Sequence, residues 1–295
     1  MTLSFKQTIL VSSFLVLSLF TTVTLAYFYQ THAFLGAQLQ YYLYRMHPRT
    51  YSAMNETLEG EVFSKASVWA DQIKSNPAYA WSRDLHFVDV DVCQPSEKDI
   101  TSACNGHCII SGLMNFTSQL KNVNTPETQK KEALKFSLHL LQDLHQPLHN
   151  LGTLRGGNDC KVNVEKSDGK IEYNTNLHAV WDGDIPEYFT QTTNYTYNGT
   201  EIEYDFIYNY TDFEYNDFNS TEMKEIEDET ALYEMLIEAV TSNVIIACNE
   251  TGIPELCETT IEFAEYYKAD IVQSLFDRYI QTATRWAKMV FDDTE

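Results

Sequence analysis

Apolar residues recur at helical spacing over most of the chain. Val62, Ala66, Trp69, Ala70 and Ile73 share one face of a helix predicted over 58–74. Ile261, Ala264, Ile271, Leu275, Tyr279, Ala283, Trp286 and Val290 form a longer stripe, which predicts a terminal helix over 258–291. Further helices are expected over 32–43, 106–120 and 222–247. Thr125-Pro126-Glu127 opens another, which should run to about Gln146, where Pro147 breaks it. Between Cys160 and Tyr173 the period shortens to two around Ser167-Asp168-Gly169, as in a small β-hairpin. A short helix over 177–185 ends at Pro186, and residues 188–220, rich in Asn, Thr and Tyr, read as a long loop. No internal repeat is present. The expected fold is mainly α, a single helical domain with a small β-hairpin.

The N-terminus departs from this pattern. Lys6 is the only charge before residue 45, and an apolar stretch from Ile9 to Phe20 leads to Thr24-Leu25-Ala26. Small residues at the third and last positions before a cut mark a signal peptide over 1–26, cleaved after Ala26, with a mature domain over 27–295 and no membrane anchor thereafter. Sequons at Asn55, Asn115, Asn194, Asn198, Asn209, Asn219 and Asn249 fit entry into the secretory pathway. So do six cysteines, Cys93, Cys104, Cys108, Cys160, Cys248 and Cys257. In a secreted chain they imply three disulfides, for which the count alone leaves fifteen pairings open. The expected destination is extracellular, or the lumen of a lysosome- or vacuole-like compartment.

Composition permits one substantial core, since 44% of the 295 residues are hydrophobic. The 42 acidic and 20 basic residues give a net charge of −22. That sign opposes binding to phosphates through Lys and Arg, so a nucleic-acid partner would need positive charge from bound metal. The histidines supply a candidate. His139 and Asp143 stand four apart in Leu138-His139-Leu140-Leu141-Gln142-Asp143, on one helix face. His178 and Asp182 repeat the spacing in His178-Ala179-Val180-Trp181-Asp182. His149 follows the Pro147 turn, and Asp71 and His86 complete the set. Imidazole nitrogen with carboxylate oxygen suits zinc. His47, His107 and His145 fit no such element, although His145 has the chemistry to support a ligand from behind.

The segment around Asp71, Leu85-His86-Phe87-Val88-Asp89, the run His145-Gln146-Pro147-Leu148-His149, Gly156-Gly157-Asn158 and Asn176-Leu177-His178 with Trp181-Asp182 together resemble one family. It comprises the single-strand-specific zinc nucleases and 3′-nucleotidases of fungi, plants and protists, related to zinc-dependent phospholipase C. Asp182, where the phospholipase branch is expected to have Glu, favours the nuclease side.

The resemblance implies three Zn2+. One would be held by Asp71, His86, His139 and Asp143. A second would take His149, His178 and Asp182. The third would take His32, a shared Asp143, and backbone groups of Tyr27 as the mature N-terminal residue. Tyr27 stands where the family has Trp, and the family's two glycines before His32 are absent. The resemblance further implies that Asp89 orients the attacking water, Lys74 stabilises charge on phosphate, Phe87 stacks the base, and Asn158 contacts the substrate. Single-stranded DNA and RNA and nucleotides are the implied substrates, cut to leave 5′-phosphate ends, with no stable protein partner. It pairs Cys93 with Cys248 and Cys104 with Cys108, leaving Cys160 with Cys257. The alternatives are a phospholipase C-like lipid phosphodiesterase and a non-catalytic secreted zinc-binding glycoprotein.

Overall fold

The computed structural model describes residues 26–166, 170–186, 225–266 and 268–292. The apolar stripes become eight principal helices: α1 (Ala26–Met46), α2 (Pro48–Thr57), α3 (Phe63–Ile73), α4 (Glu97–Cys104), α5 (Ile109–Lys121), α6 (Glu127–Asp143), α7 (Glu229–Glu250) and α8 (Ala269–Phe291). The fold is mainly α, as the periodicity predicted. Residues 1–25 of the predicted signal segment, the hairpin tip at 167–169, the loop at 188–220 and four sequons (Asn194, Asn198, Asn209 and Asn219) lie outside the described residues. Asn115 and Asn249 are exposed on helix surfaces, and Asn55 is half-buried.

The centre of the molecule is α6. Every residue from Ala133 to Asp143 is buried, including the polar Ser137, His139, Gln142 and Asp143. Buried polar groups in such a run need partners, so this helix carries the chemistry. Around it pack α3, α5 and α1, through Ala66 and Ala70, Leu113 and Phe116, and Phe34, Leu39 and Leu43. Phe116 and Phe136 stack with ring centroids 4.6 Å apart. The approach of α1 to α3 is close. A Cβ added to Gly36 would lie 2.4 Å from Ser67 Oγ and 2.7 Å from Phe63 O, so only glycine fits.

Several boundaries differ from expectation. The helix over 58–74 begins only at Phe63, and α1 extends on both sides of 32–43. The helices α2 and α4 were not foreseen. Both are short and largely polar, and α4 is set by a capping box between Ser96 and Asp99. The predicted terminal helix is interrupted: Thr259–Glu262 forms strand β3, and α8 starts at Ala269. Strand β1 (Lys161–Lys166) pairs antiparallel with β2 (Lys170–Asn176) as the expected hairpin, and β3 joins β1 in parallel, Val162 opposite Thr259.

Three disulfides join the six cysteines as the resemblance implied: Cys93–Cys248, Cys104–Cys108 and Cys160–Cys257. They fit an oxidising compartment. The last flanks the β1–β3 pairing. The length and composition of α7 would suit a membrane span, but Leu232, Leu236, Val240, Val244 and Ala247 are buried inside the protein, which accounts for its apolar character.

Candidate metal centre

Six elements converge on one cleft of about 690 Å³. Helix α1 brings His32, α3 brings Asp71, and α6 brings His139 and Asp143. A 3-10 segment, Pro77–His86, ends on His86, and a second, Pro147–Asn150, carries His149. His178 and Asp182 come from the helical turns after β2, where Val180–Asp184 widens into a π-helix. Seven of these eight side chains line the cleft, and His139 is fully buried behind them.

They form three groups whose donor atoms lie within 4.8 Å of one another: His32, Asp71 and His139; His86, His139 and Asp143; and His149, His178 and Asp182. Asp143 joins them. Its Oδ2 lies 2.9 Å from His86 Nδ1 and 3.0 Å from His139 Nε2, while its Oδ1 lies 3.4 Å from His32 Nε2 and 3.6 Å from His149 Nδ1. His86 Nδ1 and His139 Nε2 are themselves 3.0 Å apart. Zinc bonds of ~2.0–2.1 Å in a tetrahedron give ligand-to-ligand edges of about 3.3 Å, close to this triangle. His149 Nε2, which faces the Asp182 carboxylate, is buried and makes no hydrogen bond. Such a cost is tolerated where a ligand claims the atom.

The imidazoles are oriented from behind. His139 Nδ1 donates to Ser67 O at 2.7 Å, His149 Nδ1 to His86 O at 2.9 Å, and His178 Nδ1 to Gly156 O at 2.7 Å. In each case the bond aims Nε2 at carboxylates: His139 at Asp143, His149 at Asp182 Oδ1 (3.2 Å) and His178 at Asp182 Oδ2 (3.1 Å). Donating the second ring nitrogen to a carbonyl is how metal-binding histidines are held. His32 Nδ1 lies 2.6 Å from the Gln142 side-chain amide. The Gln146 side-chain amide bonds Asp182, and Thr31 Oγ1 donates to Asp182 O at 2.9 Å.

Charge is crowded here. Burial resists ionisation of Asp71 and Asp143, yet nearby imidazoles, His139 foremost, hold both carboxyls well below their usual range. Burial also opposes a charge on His139, but Asp143 and Asp71 push it up to about 10; Asp143 and Asp182 push His149 up to about 9. His32, buried and beside His139, falls to about 4. The protein thus draws protons onto two buried rings to offset its carboxylates, and a divalent cation would take their place. The residues fit a metal.

The remaining predicted positions surround this array. Lys74 caps α3, and its Nζ meets Asp71 Oδ1 at 2.7 Å. Phe87, 36% exposed, Asp89 and Asn158 all line the cleft. Asp89 sits on an extended segment pinned to the His149 turn: Val88 N donates to His149 O, and Gly152 N donates to Val90 O. Burial first, then Asp91, raises its carboxyl. The backbone of Tyr27 lies in the first turn of α1. His145 supports no ligand: its ring bonds Leu141 O and Thr282 Oγ1. His107 Nε2 donates to Trp81 O, neither residue lining the cleft, and His47 precedes α2. Sequence reasoning passed over Gln142, Gln146 and the carbonyls of Ser67 and Gly156. For the two glutamines the available signal was their place beside ligands in α6 and its following turn.

The S1/P1 Nuclease family model matches residues 40–292. Nuclease P1 of Penicillium citrinum is 35% identical over 122 residues, covering 40% of this chain and 43% of the relative. Nuclease S1 of Aspergillus oryzae (strain ATCC 42149 / RIB 40) is 34% identical over 131 residues, 42% of each. Endonuclease 3 of Arabidopsis thaliana is 34% identical over 146 residues, 46% of each. The chain spans less than half the length of the curated relatives it matches. With the family model covering most of the chain, the protein belongs to the S1/P1 nuclease family.

Proposed function

We propose that this protein is a secreted, zinc-dependent nuclease and 3′-nucleotidase that hydrolyses phosphodiester and 3′-phosphomonoester bonds in single-stranded DNA and RNA, leaving 5′-phosphate ends. The observation that carries this reading is the cluster of five histidines and three aspartates around Asp143, opening on a cleft with Phe87 at its edge. The ligand sets are Asp71, His86, His139 and Asp143; His149, His178 and Asp182; and His32, Asp143 and the Tyr27 backbone of a chain cut after Ala26. Bound zinc would supply Lewis acidity and positive charge at the phosphoryl group, which this acidic chain lacks.

The residues do the rest. Asp89 orients the attacking water and accepts its proton as the new oxygen–phosphorus bond forms; the bond to the 3′ oxygen breaks, and that oxygen takes a proton from solvent to leave as a 3′-hydroxyl. A carboxyl raised by burial is a better base for that step than an exposed one. Burial works against the Lys74 charge, but Asp71 overrides it, so Lys74 stays an ammonium and meets charge developing on phosphate. Phe87 offers a ring face to one unstacked base, and stacking tolerates any base. A duplex would have to unpair to reach it, which is the physical basis for single-strand preference. Asn158, fixed by donating to Arg155 O at 2.9 Å, borders the same space.

The test combines intact mass of the secreted protein, a zinc count, and assays on single-stranded and duplex DNA and RNA. A start at Tyr27, three zincs per chain and chelator-sensitive cleavage of single strands to 5′-phosphate ends are expected. Full zinc loading with no hydrolysis of any phosphate ester would sink the proposal.

A further inference from the structure

The cleft wall holds only three permanent cations among the described residues, Lys74, Arg83 and Arg155. Lys74 is committed to Asp71. The two arginines are not. Arg83 uses its Nε to donate to Lys74 O at 2.8 Å, which leaves both terminal nitrogens of its fork available. Arg155 faces only exposed Asp159, at 3.4 Å, a pair that water screens heavily.

Arg83 is anchored through its side chain and Arg155 through its backbone, at opposite ends of the ligand array. Arg83 stands three residues before His86, and its bond to Lys74 O ties it to the end of α3 that bears Asp71. Arg155 occupies a turn with a left-handed backbone, φ +53°, closed by its N–H donating to Gly152 O at 2.9 Å. Its carbonyl accepts from Asn158 Nδ2, and the next carbonyl, Gly156 O, accepts from His178 Nδ1. Arg83 therefore marks the Asp71 side and Arg155 the His178 side. A planar guanidinium fork suits phosphate oxygens.

We propose that Arg83 and Arg155 seat the backbone phosphates on either side of the scissile one, so that a polynucleotide strand lies across the cleft from the Asp71 end to the His178 end. The inference rests on the nuclease reading and adds a length preference to it. A nucleoside 3′-phosphate has no flanking phosphate and engages neither arginine. On a chain of net charge −22, two such seats add to the attraction that bound metal would supply.

The zinc-loaded full chain is compared with Arg83→Ala, Arg155→Ala and the double variant, and with Arg83→Lys and Arg155→Lys. Each alanine variant should raise KM for a single-stranded oligonucleotide on the order of tenfold, with kcat within about twofold. KM for a nucleoside 3′-phosphate should stay unchanged. The slope of log KM against log salt should flatten by about 0.7 for each arginine removed. The lysine variants should fall between. Equal shifts for both substrates, or no shift for the oligonucleotide, would overturn the inference and leave the nuclease reading standing. Binding of a fluorescent phosphorothioate strand, followed by anisotropy, separates the two claims. If the wild type binds with this salt slope and the variants lose it, the arginine seats stand even should hydrolysis fail.

Discussion

Zinc loading of the metal-stripped protein should release about two protons per chain at pH 8. The magnitude follows from charge balance in the cleft. Asp71, Asp143 and Asp182 bring three negative charges, and Lys74 at 2.7 Å offsets one of them. His139 and His149 offset the others. Burial disfavours protonation of both rings, but the carboxylates win and carry them up to about 10 and about 9. At pH 8, below both values, the two rings are largely protonated, whereas an ordinary histidine is neutral. His32 and His86 are lowered and hold none. Ligation requires neutral imidazole nitrogen, so about two protons must leave. Calorimetric titration with zinc in buffers of different ionisation enthalpy reads the number as a slope. The release should hold at pH 7 and fall towards zero above pH 10. Fewer than about half a proton at pH 8 would refute the charge-balance reasoning.

Other outcomes follow from the same geometry. Asp89→Asn should lower kcat by about 10²–10⁴ while the zinc count, measured by elemental analysis, stays unchanged. Phe87→Ala should weaken substrate binding by about 1–3 kcal/mol, seen in KM for single strands of any base composition, and Phe87→Trp should restore it. Replacing Cys160 and Cys257, 97 residues apart, with serine should cost about 4–5 kcal/mol in denaturant unfolding. The stripped protein should also have a defined pH window. A ring raised on folding stabilises the fold below its unfolded value near 6.5, and that stability is lost as pH climbs through about 9 and 10 for His149 and His139. Depressed carboxyls such as Asp143 stabilise above about pH 4 and give this up below it. Melting temperatures across pH, with and without chelator, check both limbs.

What the sequence disclosed depended on range. His139 with Asp143, and His178 with Asp182, are legible because a helix turns four residues into one face. That Asp71 and His86 join the first pair was legible only through resemblance, since nothing in local spacing relates α3 to a segment ending at residue 86. The orienting carbonyls of Ser67 and Gly156 leave no trace in residue type, because every residue has one. Strand β3 was hidden for another reason: Ile261 satisfies both the helical stripe and an alternating Thr259-Thr260-Ile261-Glu262 pattern, and pairing with β1 decides between them. The role of Arg155 depends on a left-handed turn that composition around Gly156-Gly157 hints at but does not position.

Gly36 bears on all of this from a place with no charge at all. One helical turn beyond His32, it lets α1 settle against α3 at Ser67, whose carbonyl aims His139 and whose helix carries Asp71. The missing side chain is therefore a spacer gauge: it sets how far the first histidine stands from the first aspartate, 4.0 Å between their nearest atoms. A single methyl there would push the two helices apart and be felt as a change in metal occupancy. The dimensions of the site are written partly in an apolar packing position, one that a search for reactive side chains would pass over.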